Sequence, residues 1–245
     1  MNFTQILKYF FAFIIISTSS FAQTEEEEFY DYSSEFIWGI NKSSNSGIIG
    51  GFTFKVGREL KDDVFQTFAL DIVNIKHQQE NRRPSTSGGF IWGKLNYLYA
   101  FKFQYGRDYI LFKKAAYQGA QITLSFSAGP TIGIVAPYYI EIGEGGTNTR
   151  TTPFEDVAFT QGISPAQIFG PGRLFEGLGD SDIEIGFNAK VGVGFEFGTF
   201  KSNVTGFEVG FQIDAFTDEI PLAAFHSNQA VFPAAYINLF YGSRK

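Results

Sequence analysis

Between Asp182 and Phe197 every second residue is apolar, and every intervening residue is Gly, Asn, Asp, Glu or Lys. Because side chains alternate between the two faces of a β-strand, this pattern predicts a strand with one apolar and one polar face. The run is longer than the about 5 or 6 residues usual in globular strands. It suffices for a tilted strand that crosses a bilayer in roughly 9 to 11 residues, with apolar residues toward lipid and polar residues toward a lumen.

The same alternation recurs along the chain and predicts eight strands. They cover 36–41, 52–56, 68–72, 94–105, 121–142, 182–198, 207–214 and 231–241. In the fifth segment the same alternation continues as far as residue 142, so that Tyr138, Ile140 and Ile142 are expected on the lipid face. Pro130 and Pro137 within it should be bulges or unpaired sites, because proline cannot donate to a ladder.

The connections between these strands fall into two groups. If the first strand runs outward, short turns at 59–63, 106–116 and 199–203 lie on the periplasmic side, and 77–89, 144–181 and 217–229 lie outside. Short inner turns, long outer loops and an even strand number are typical of bacterial membrane barrels. The sequence therefore predicts an all-β fold, an 8-stranded antiparallel transmembrane up-and-down β-barrel. Ten strands are possible if Tyr109–Phe112 or part of the long loop pairs as a hairpin, and a soluble barrel with its apolar face inward is the alternative architecture.

The first residues indicate export. Lys8 precedes an apolar stretch, and Ser20-Phe21-Ala22 is a small-x-small cleavage site, so residues 1–22 are a predicted cleaved signal peptide. Residues 23–34 form an acidic segment and 35–245 the barrel domain. No window after residue 22 is apolar enough for a spanning helix, which leaves a barrel as the way to cross a bilayer. The chain has no cysteine and a net charge of -6, which excludes disulfides and argues against a nucleic-acid partner.

A set of charged residues is expected on the lumen face. It comprises Lys55, Asp71, Lys94, Lys102, Glu184, Lys190, Glu196, Glu208 and Asp214. An eight-stranded barrel is just wide enough to be filled by its own side chains. Since buried charges must be paired, these residues are interpreted as a salt-bridged plug. A narrow channel lined by the same residues is the alternative.

Two histidines are the weak candidates for catalysis. His77 and His226 are both expected on the outer side, where Ser85, Ser87, Ser227, Glu80 and Asp218 supply nearby nucleophile and acid types. An outer-leaflet lipid-modifying hydrolase would need a nucleophile, a base and an orienting group within mutual reach, and no spacing singles out such a set. Neither a metal site nor a cofactor is expected, because Cys is absent and the His residues lack ligand spacing.

The long outer loop 144–181 is the candidate binding surface. Within it, Ser164-Pro165 is typical of a capped helix start. Loops of this length are uncommon unless they are functional. We therefore expect a structural or interaction-bearing barrel that contacts a protein or glycan partner through its outer loops, with this loop as a possible cover for the outer mouth.

Residues 33–242 resemble the small outer-membrane β-barrels of Gram-negative bacteria, the porin-like group that includes OmpA-type domains. The likeness rests on the strand pattern and on local elements: Tyr105-Gly106-Arg107, Leu111-Phe112-Lys113-Lys114, Pro137-Tyr138-Tyr139 and Asn238-Leu239-Phe240-Tyr241-Gly242. The resemblance implies an integral outer-membrane location, contact with outer-membrane lipid and lipopolysaccharide, and assembly by the barrel-insertion machinery. Such barrels commonly end in an aromatic residue that this machinery recognises, whereas Gly242–Lys245 follow Tyr241 here.

Overall fold

The structure, a computed structural model, describes residues 32–113, 120–145, 148–160, 164–173, 175–197 and 203–245. The predicted signal peptide and most of the acidic segment lie outside these residues. Within them the strands are β1 (Ser34–Ser43), β2 (Ser46–Lys61), β3 (Val64–Ile75), β4 (Asn81–Ser85), β5 (Gly88–Trp92), β6 (Asn96–Phe112), β7 (Ala120–Pro137), β8 (Tyr139–Gly145), β9 (Asn148–Pro153), β10 (Ile168–Pro171), β11 (Asp182–Phe197), β12 (Asn203–Ile220) and β13 (Gln229–Arg244). Helix α1 spans Phe154–Thr160, and 3-10 turns span Pro165–Gln167 and Glu176–Asp180.

Eight of the described strands close into an antiparallel barrel in the order β1-β13-β12-β11-β7-β6-β3-β2. The first and last strands close the ring, with cross-strand partners running from Glu35 and Arg244 to Ser43 and Tyr236. Each barrel strand has 10 to 18 residues, enough to cross a bilayer at a tilt. The prediction of eight barrel strands is confirmed, since Tyr109–Phe112 extends β6 rather than adding a hairpin to the ring.

The apolar face of the barrel points outward. Ile183 and Phe211 are 71% and 70% exposed, whereas Lys102 and Asp214 on the opposite face are buried. A belt of exposed large hydrophobic side chains surrounds the wall on every barrel strand. Such a surface is stable only against hydrocarbon, so the chain is a transmembrane β-barrel of the outer-membrane type. The soluble-barrel alternative, with its apolar face inside, is wrong.

The two ends of the barrel differ in their connections. We call the end that holds Ser34 and Arg244 the inner end, and the opposite end the outer end. At the inner end the β2–β3 turn is only Asp62-Asp63, whereas the outer end carries segments 76–95, 138–181 and 221–228. This asymmetry agrees with the predicted division into short periplasmic turns and long outer loops.

The outer segments fold into an additional layer, which we call the outer platform: residues 81–95, the described residues of 138–180 and the tip Ala224-Phe225. It contains the β4–β5 hairpin, a three-stranded sheet in the order β10-β8-β9, and α1. Its apolar core consists of Phe90, Leu95, Tyr138, Ile140, Ile142, Phe154, Val157 and Ile168. Residues 77–89, predicted as polar loop, therefore include strand β4 and the start of β5.

The predicted fifth strand, 121–142, is wrong at its outer end. Strand β7 ends at Pro137, and β8 continues in a separate sheet above the barrel. Tyr138, Ile140 and Ile142 are consequently buried in the platform core instead of facing lipid. A period of two marks an apolar face but does not say whether lipid or protein covers it. Pro130 has no partner on β6 but lies opposite Phe187 on β11, and Pro137, the last residue of β7, lies opposite Asn96, so neither proline is unpaired on both sides.

Candidate functional site

The inner third of the lumen is organised around Arg244. Its guanidinium donates to Glu196 at 2.9 Å and to Glu35 at 3.3 Å, and it lies 3.8 Å from the ring centre of Tyr32. The Gln121 amide donates to the Tyr32 hydroxyl at 3.1 Å. Strand β13 places this arginine, because it continues past Tyr241 with Arg244 pointing inward. The residues after Tyr241 are therefore part of the closing strand, and Tyr241 itself faces outward against Trp38.

The middle of the lumen holds two linked ion-pair groups. Lys55 contacts Asp108 at 2.7 Å. Lys190 lies between Asp71 at 3.4 Å and Glu208 at 3.3 Å. The Tyr236 hydroxyl donates to Glu208 at 2.7 Å, and the ring of Tyr236 lies 4.4 Å from the Lys190 ammonium. Because these groups come from six different strands, they tie the barrel wall together across its interior.

A further pair and an amide network lie above these groups. Lys102 contacts Asp214 at 2.7 Å, with both side chains almost completely buried. Beside it the Gln104 amide donates to Asn188 at 2.8 Å, and Asn188 donates to the Thr131 hydroxyl at 2.9 Å. This layer separates the ion pairs below from the outer third of the lumen.

The outer third of the lumen is apolar, unlike the wholly polar interior that the alternation predicted. Inward-facing side chains of five strands and one loop pack there: Val73, Ile75, Leu98, Ala100, Val135, Phe216, Ile220, Leu222 and Phe232. Two cavities farther in, both lined by Lys55, Asp108 and Glu208, have volumes of about 30 and 20 Å³. Each can hold about one water molecule. We call the apolar cluster the outer plug.

Loop 221–228 covers the outer mouth. The Leu95 amide donates to the Leu222 carbonyl at 2.9 Å, and the Asn96 side chain donates to the Pro221 carbonyl at 2.7 Å. These bonds join β6 to the end of β12, although two barrel strands separate them in the wall. The segment that crosses the mouth is thus the loop before β13, whereas the sequence suggested the longer loop 144–181.

Seven of the nine predicted lumen residues lie in these networks, and two do not. Lys94 lies in the outer layer, where it pairs with Glu80 and approaches the Tyr97 ring to 4.4 Å. Burial lowers the pKa of Lys94, and the Glu80 carboxylate opposes that shift. Glu184 is partly exposed at the outer end of β11 and forms no ion pair with a described residue. The prediction was wrong for both because it extended the lumen beyond the outer plug.

Three lumen charges were missed: Glu35, Asp108 and Arg244. All three lie outside the segments over which the alternation predicted strands: Glu35 precedes 36–41, Asp108 follows 94–105 and Arg244 follows 231–241. Their parity was the available signal, since each continues the inward register of its own strand. With them included, four cationic and six carboxylate side chains face the lumen network.

The structure brings the two histidines together. The rings of His77 and His226 stack with centroids 4.9 Å apart and an interplanar angle of 11°. Burial and the neighbouring His226 lower the pKa of His77, although Glu80 opposes this. The His77 Nδ1 accepts a hydrogen bond from the Gln79 amide at 3.2 Å. The pair joins the segment after β3 to the loop that covers the mouth.

The predicted nucleophiles do not join these histidines. The Ser85 hydroxyl donates to the Gly88 carbonyl, and the Ser87 hydroxyl donates to the Phe169 carbonyl at 2.9 Å. In the described part of the chain no hydrogen bond links either histidine ring to a serine or carboxylate. The same residues contain no group of three His, Asp or Glu side chains placed to hold a metal ion. The geometry therefore gives no catalytic constellation at this position.

The outer platform also displays an aromatic and cationic surface. Trp92 stacks on Phe225 at 6.1 Å and meets Phe154 edge-on at 5.5 Å. The Arg83 guanidinium lies 5.9 Å from the Trp92 ring, and Arg82 is exposed on the same hairpin. Phe225 is 59% exposed. We call Arg83, Trp92 and Phe225 the aromatic–arginine patch; Arg82, the preceding residue of β4, lies on the opposite face of the hairpin.

The predicted helix start in the long loop is present as a 3-10 turn. Ser164 accepts from the Ala166 amide, and Gln167 accepts from the Ser164 amide at 2.8 Å, which forms a capping box. The turn leads into β10, whose neighbour Ser87 belongs to the β4–β5 hairpin. The cap thus fixes where the long loop enters the platform core.

Within the described ranges, no helix has the length and hydropathy that membrane crossing requires.

Comparison with known proteins gives structural likenesses only. No protein-family model matches the sequence, and no curated protein matches it. The fold is similar to that of Ail, the attachment invasion locus protein of Yersinia pestis, at 10% identity and a TM-score of 0.41, covering 88% of this chain and all of that one; the Ail crystal was in complex with the heparin analogue sucrose octasulfate. It is also similar to Neisserial surface protein A, at 12% identity and a TM-score of 0.33, covering 87% of this chain and 94% of that one.

Proposed function

We propose that this chain is an outer-membrane protein, exported through a cleaved signal peptide at residues 1–22, that presents its outer platform to a protein or glycan partner at the cell surface. The observation that carries the proposal is the contrast between the two ends of the molecule. The lumen is filled by ion pairs and an apolar plug. The outer segments instead form an ordered layer with its own core.

The aromatic–arginine patch is the part of this platform best suited to binding. Trp, Phe and Arg are enriched at protein interfaces, because they bury a large area and donate several hydrogen bonds. Trp92 is held from below by Phe154, so its ring is fixed before a partner arrives. A fixed aromatic ring loses little conformational entropy on binding. Sugar rings and apolar protein side chains both pack against such a surface. The positive charge of the guanidinium also favours partners that carry anionic groups.

The proposal is tested by comparing cells that display the wild-type barrel with cells that display R83Q/F225S. Binding to glycan arrays and to immobilised host-surface proteins is measured by cell counting. Phe175, an exposed aromatic residue elsewhere in the platform, supplies the matched control F175S. We expect the patch variant to lose binding and the control to keep it. Equal binding by both variants would reject the patch as the contact surface.

The lipid-modifying hydrolase remains the alternative function. The only observation in its favour is that His77 and His226 are adjacent on the outer side. The Ser85 and Ser87 hydroxyls are bonded to backbone carbonyls, and among the described contacts Ser227 forms no hydrogen bond with either histidine ring. We therefore place the histidines in the closure of the outer mouth and assign them no catalytic role.

A further inference from the structure

Two arginines face outward near the inner end of the barrel wall. Arg58, Gln66 and Arg107 are directly paired neighbours on β2, β3 and β6. Directly opposed residues of an antiparallel pair share one face of the sheet. This face is the lipid side, since Val56 and Tyr105 at the same parity are both about half exposed. In the described chain neither arginine forms an ion pair, so the row carries two uncompensated positive charges.

Arg107 has an unsatisfied donor. Its Nη1 is fully buried and has no hydrogen-bond partner among the described residues. The guanidinium lies 5.1 Å from the ring centre of Tyr105, and Tyr109 packs edge-on against Phe126 on the neighbouring strand. Because Arg107 as a whole is only partly buried, the rest of its guanidinium is open to the lipid side, and a phosphate oxygen is the acceptor whose geometry and charge suit a guanidinium best.

An apolar groove of about 1000 Å³ begins at this arginine. It crosses the lipid-facing surface of the barrel from β6 to β13. Ala128 and Ala189, paired neighbours on β7 and β11, form its floor because their side chains are small. Phe126, the cross-strand partner of Arg107 on β7, lines its start, and Phe211 on β12 lines it farther along the wall. Five strands at a spacing of about 4.8 Å give a length of roughly 19 Å, which is long and narrow enough for an acyl chain.

The position of the row fits a lipid headgroup. Arg107 is five residues from the inner end of β6, among outward-facing tyrosines. Aromatic residues form girdles where a membrane barrel meets the two interfaces. Long cationic side chains at such positions direct their charged ends toward the headgroups. The charged row and the groove therefore meet at the depth where the phosphate of a lipid in the inner leaflet connects to its acyl chains.

We propose that the Arg58–Gln66–Arg107 row and the adjoining groove form a binding site for a phospholipid of the inner leaflet, whose phosphate contacts Arg107 and whose acyl chain lies over Ala128 and Ala189. The proposal depends on the membrane-facing wall and not on the outer platform. Failure of the platform as a binding surface would leave it untouched.

The test uses the full-length mature barrel in detergent, with lipid retention measured by native mass spectrometry. Phosphatidylglycerol is the probe, and diacylglycerol with the same acyl chains, which lacks phosphate, is the comparison lipid. We expect the protein to retain phosphatidylglycerol but not diacylglycerol. R107Q should lower retention about tenfold, because it removes a charge-assisted contact. A189F should lower it as well, because it fills the groove.

Three controls separate this site from general lipid association. R173Q removes an exposed arginine of the outer segments and should leave retention unchanged. Each variant must show the same mobility difference between boiled and unboiled samples as the wild type, which establishes that the barrel is folded. Inorganic phosphate should not displace the lipid. Equal retention by wild type, R107Q and A189F would overturn the proposal, and so would displacement of the lipid by phosphate, which would indicate an anion site without an acyl groove.

Discussion

The Lys102–Asp214 pair offers the sharpest test of the lumen. These side chains are 1% and 0% exposed and their charged atoms are 2.7 Å apart. Replacing lysine with methionine keeps most of the side-chain volume but removes the positive charge. The K102M variant therefore leaves the Asp214 carboxylate buried without its cation, beside neutral amides and hydroxyls and with the carboxylate of Asp71, the cross-strand neighbour of Lys102, nearby.

The magnitude follows from the burial of both partners. Removing one member of a buried ion pair costs about 3–5 kcal/mol of unfolding free energy, whereas replacing both by apolar residues is often close to neutral. We expect K102M to fall in that range and K102M/D214L to recover most of the loss. The Lys113–Asp63 contact near the inner turn is much more exposed. Because exposed pairs contribute about 0–1 kcal/mol, K113M is the matched control.

Urea unfolding in lipid vesicles measures these changes. The fluorescence of Trp38 on the lipid face and of Trp92 in the platform reports the transition. With a slope of about 2 kcal/mol per molar urea, K102M should lower the midpoint by about 2 M. A K102M midpoint within about 0.3 M of the wild type would refute the view that this pair is buried and closely coupled. A double variant as unstable as the single one would refute it too.

Three other predictions concern the outer end of the molecule. F216A should lower the free energy of unfolding by about 3–5 kcal/mol, because it opens a cavity in the outer plug. In planar bilayers this variant should still show no single-channel current, because the Lys102–Asp214 layer remains. A current would show that the apolar plug alone blocks the lumen. H77A and H226A should leave the mass spectrum of lipid A identical to that of cells with the wild type, and any difference would revive the hydrolase. The pKa of His77 is lowered in the folded state, so its neutral form contributes stability that is complete above the ordinary pKa near 6.5 and is lost as the pH falls through the lowered pKa. Proteolysis of loop 221–228 should therefore accelerate on acidification in the wild type. The H77F variant should lack that acceleration.

The sequence was sufficient to predict the wall of the barrel. Ile183 and Phe211 face outward as the alternation predicted, because pleating leaves a strand no other way to separate apolar from polar side chains. The same rule failed at Tyr138 and Ile140, which have the parity of lipid-facing residues but are covered by the platform. Periodicity identifies an apolar face and does not identify the material that contacts it.

The lumen was predictable only in part, for a related reason. Glu196 and Lys190 were found because they interrupt long apolar runs. Of their partners, Glu208 was predicted too. Arg244 was missed, because it follows the last apolar residue of its strand and resembles a polar tail in the sequence. The outer plug was missed because Leu222 lies in the predicted loop 217–229, Phe216 lies beyond the predicted end of its strand at 214, and the apolar residues Leu98 and Ala100 fall on the face that was predicted to be polar. Which loops fold over the barrel depends on contacts between segments far apart in the chain.

The measurement that tests the central claim most directly is cysteine labelling in whole cells, made clean by the absence of native cysteine. T86C places a thiol at the exposed tip of the β4–β5 hairpin, and D62C places one in the exposed turn at the inner end. If the barrel crosses the outer membrane with its platform outside, a membrane-impermeant maleimide labels T86C in intact cells and labels D62C only after the outer membrane is permeabilised. Labelling of D62C but not T86C in intact cells would contradict the orientation, and equal labelling of both in intact cells would contradict the membrane-spanning barrel itself.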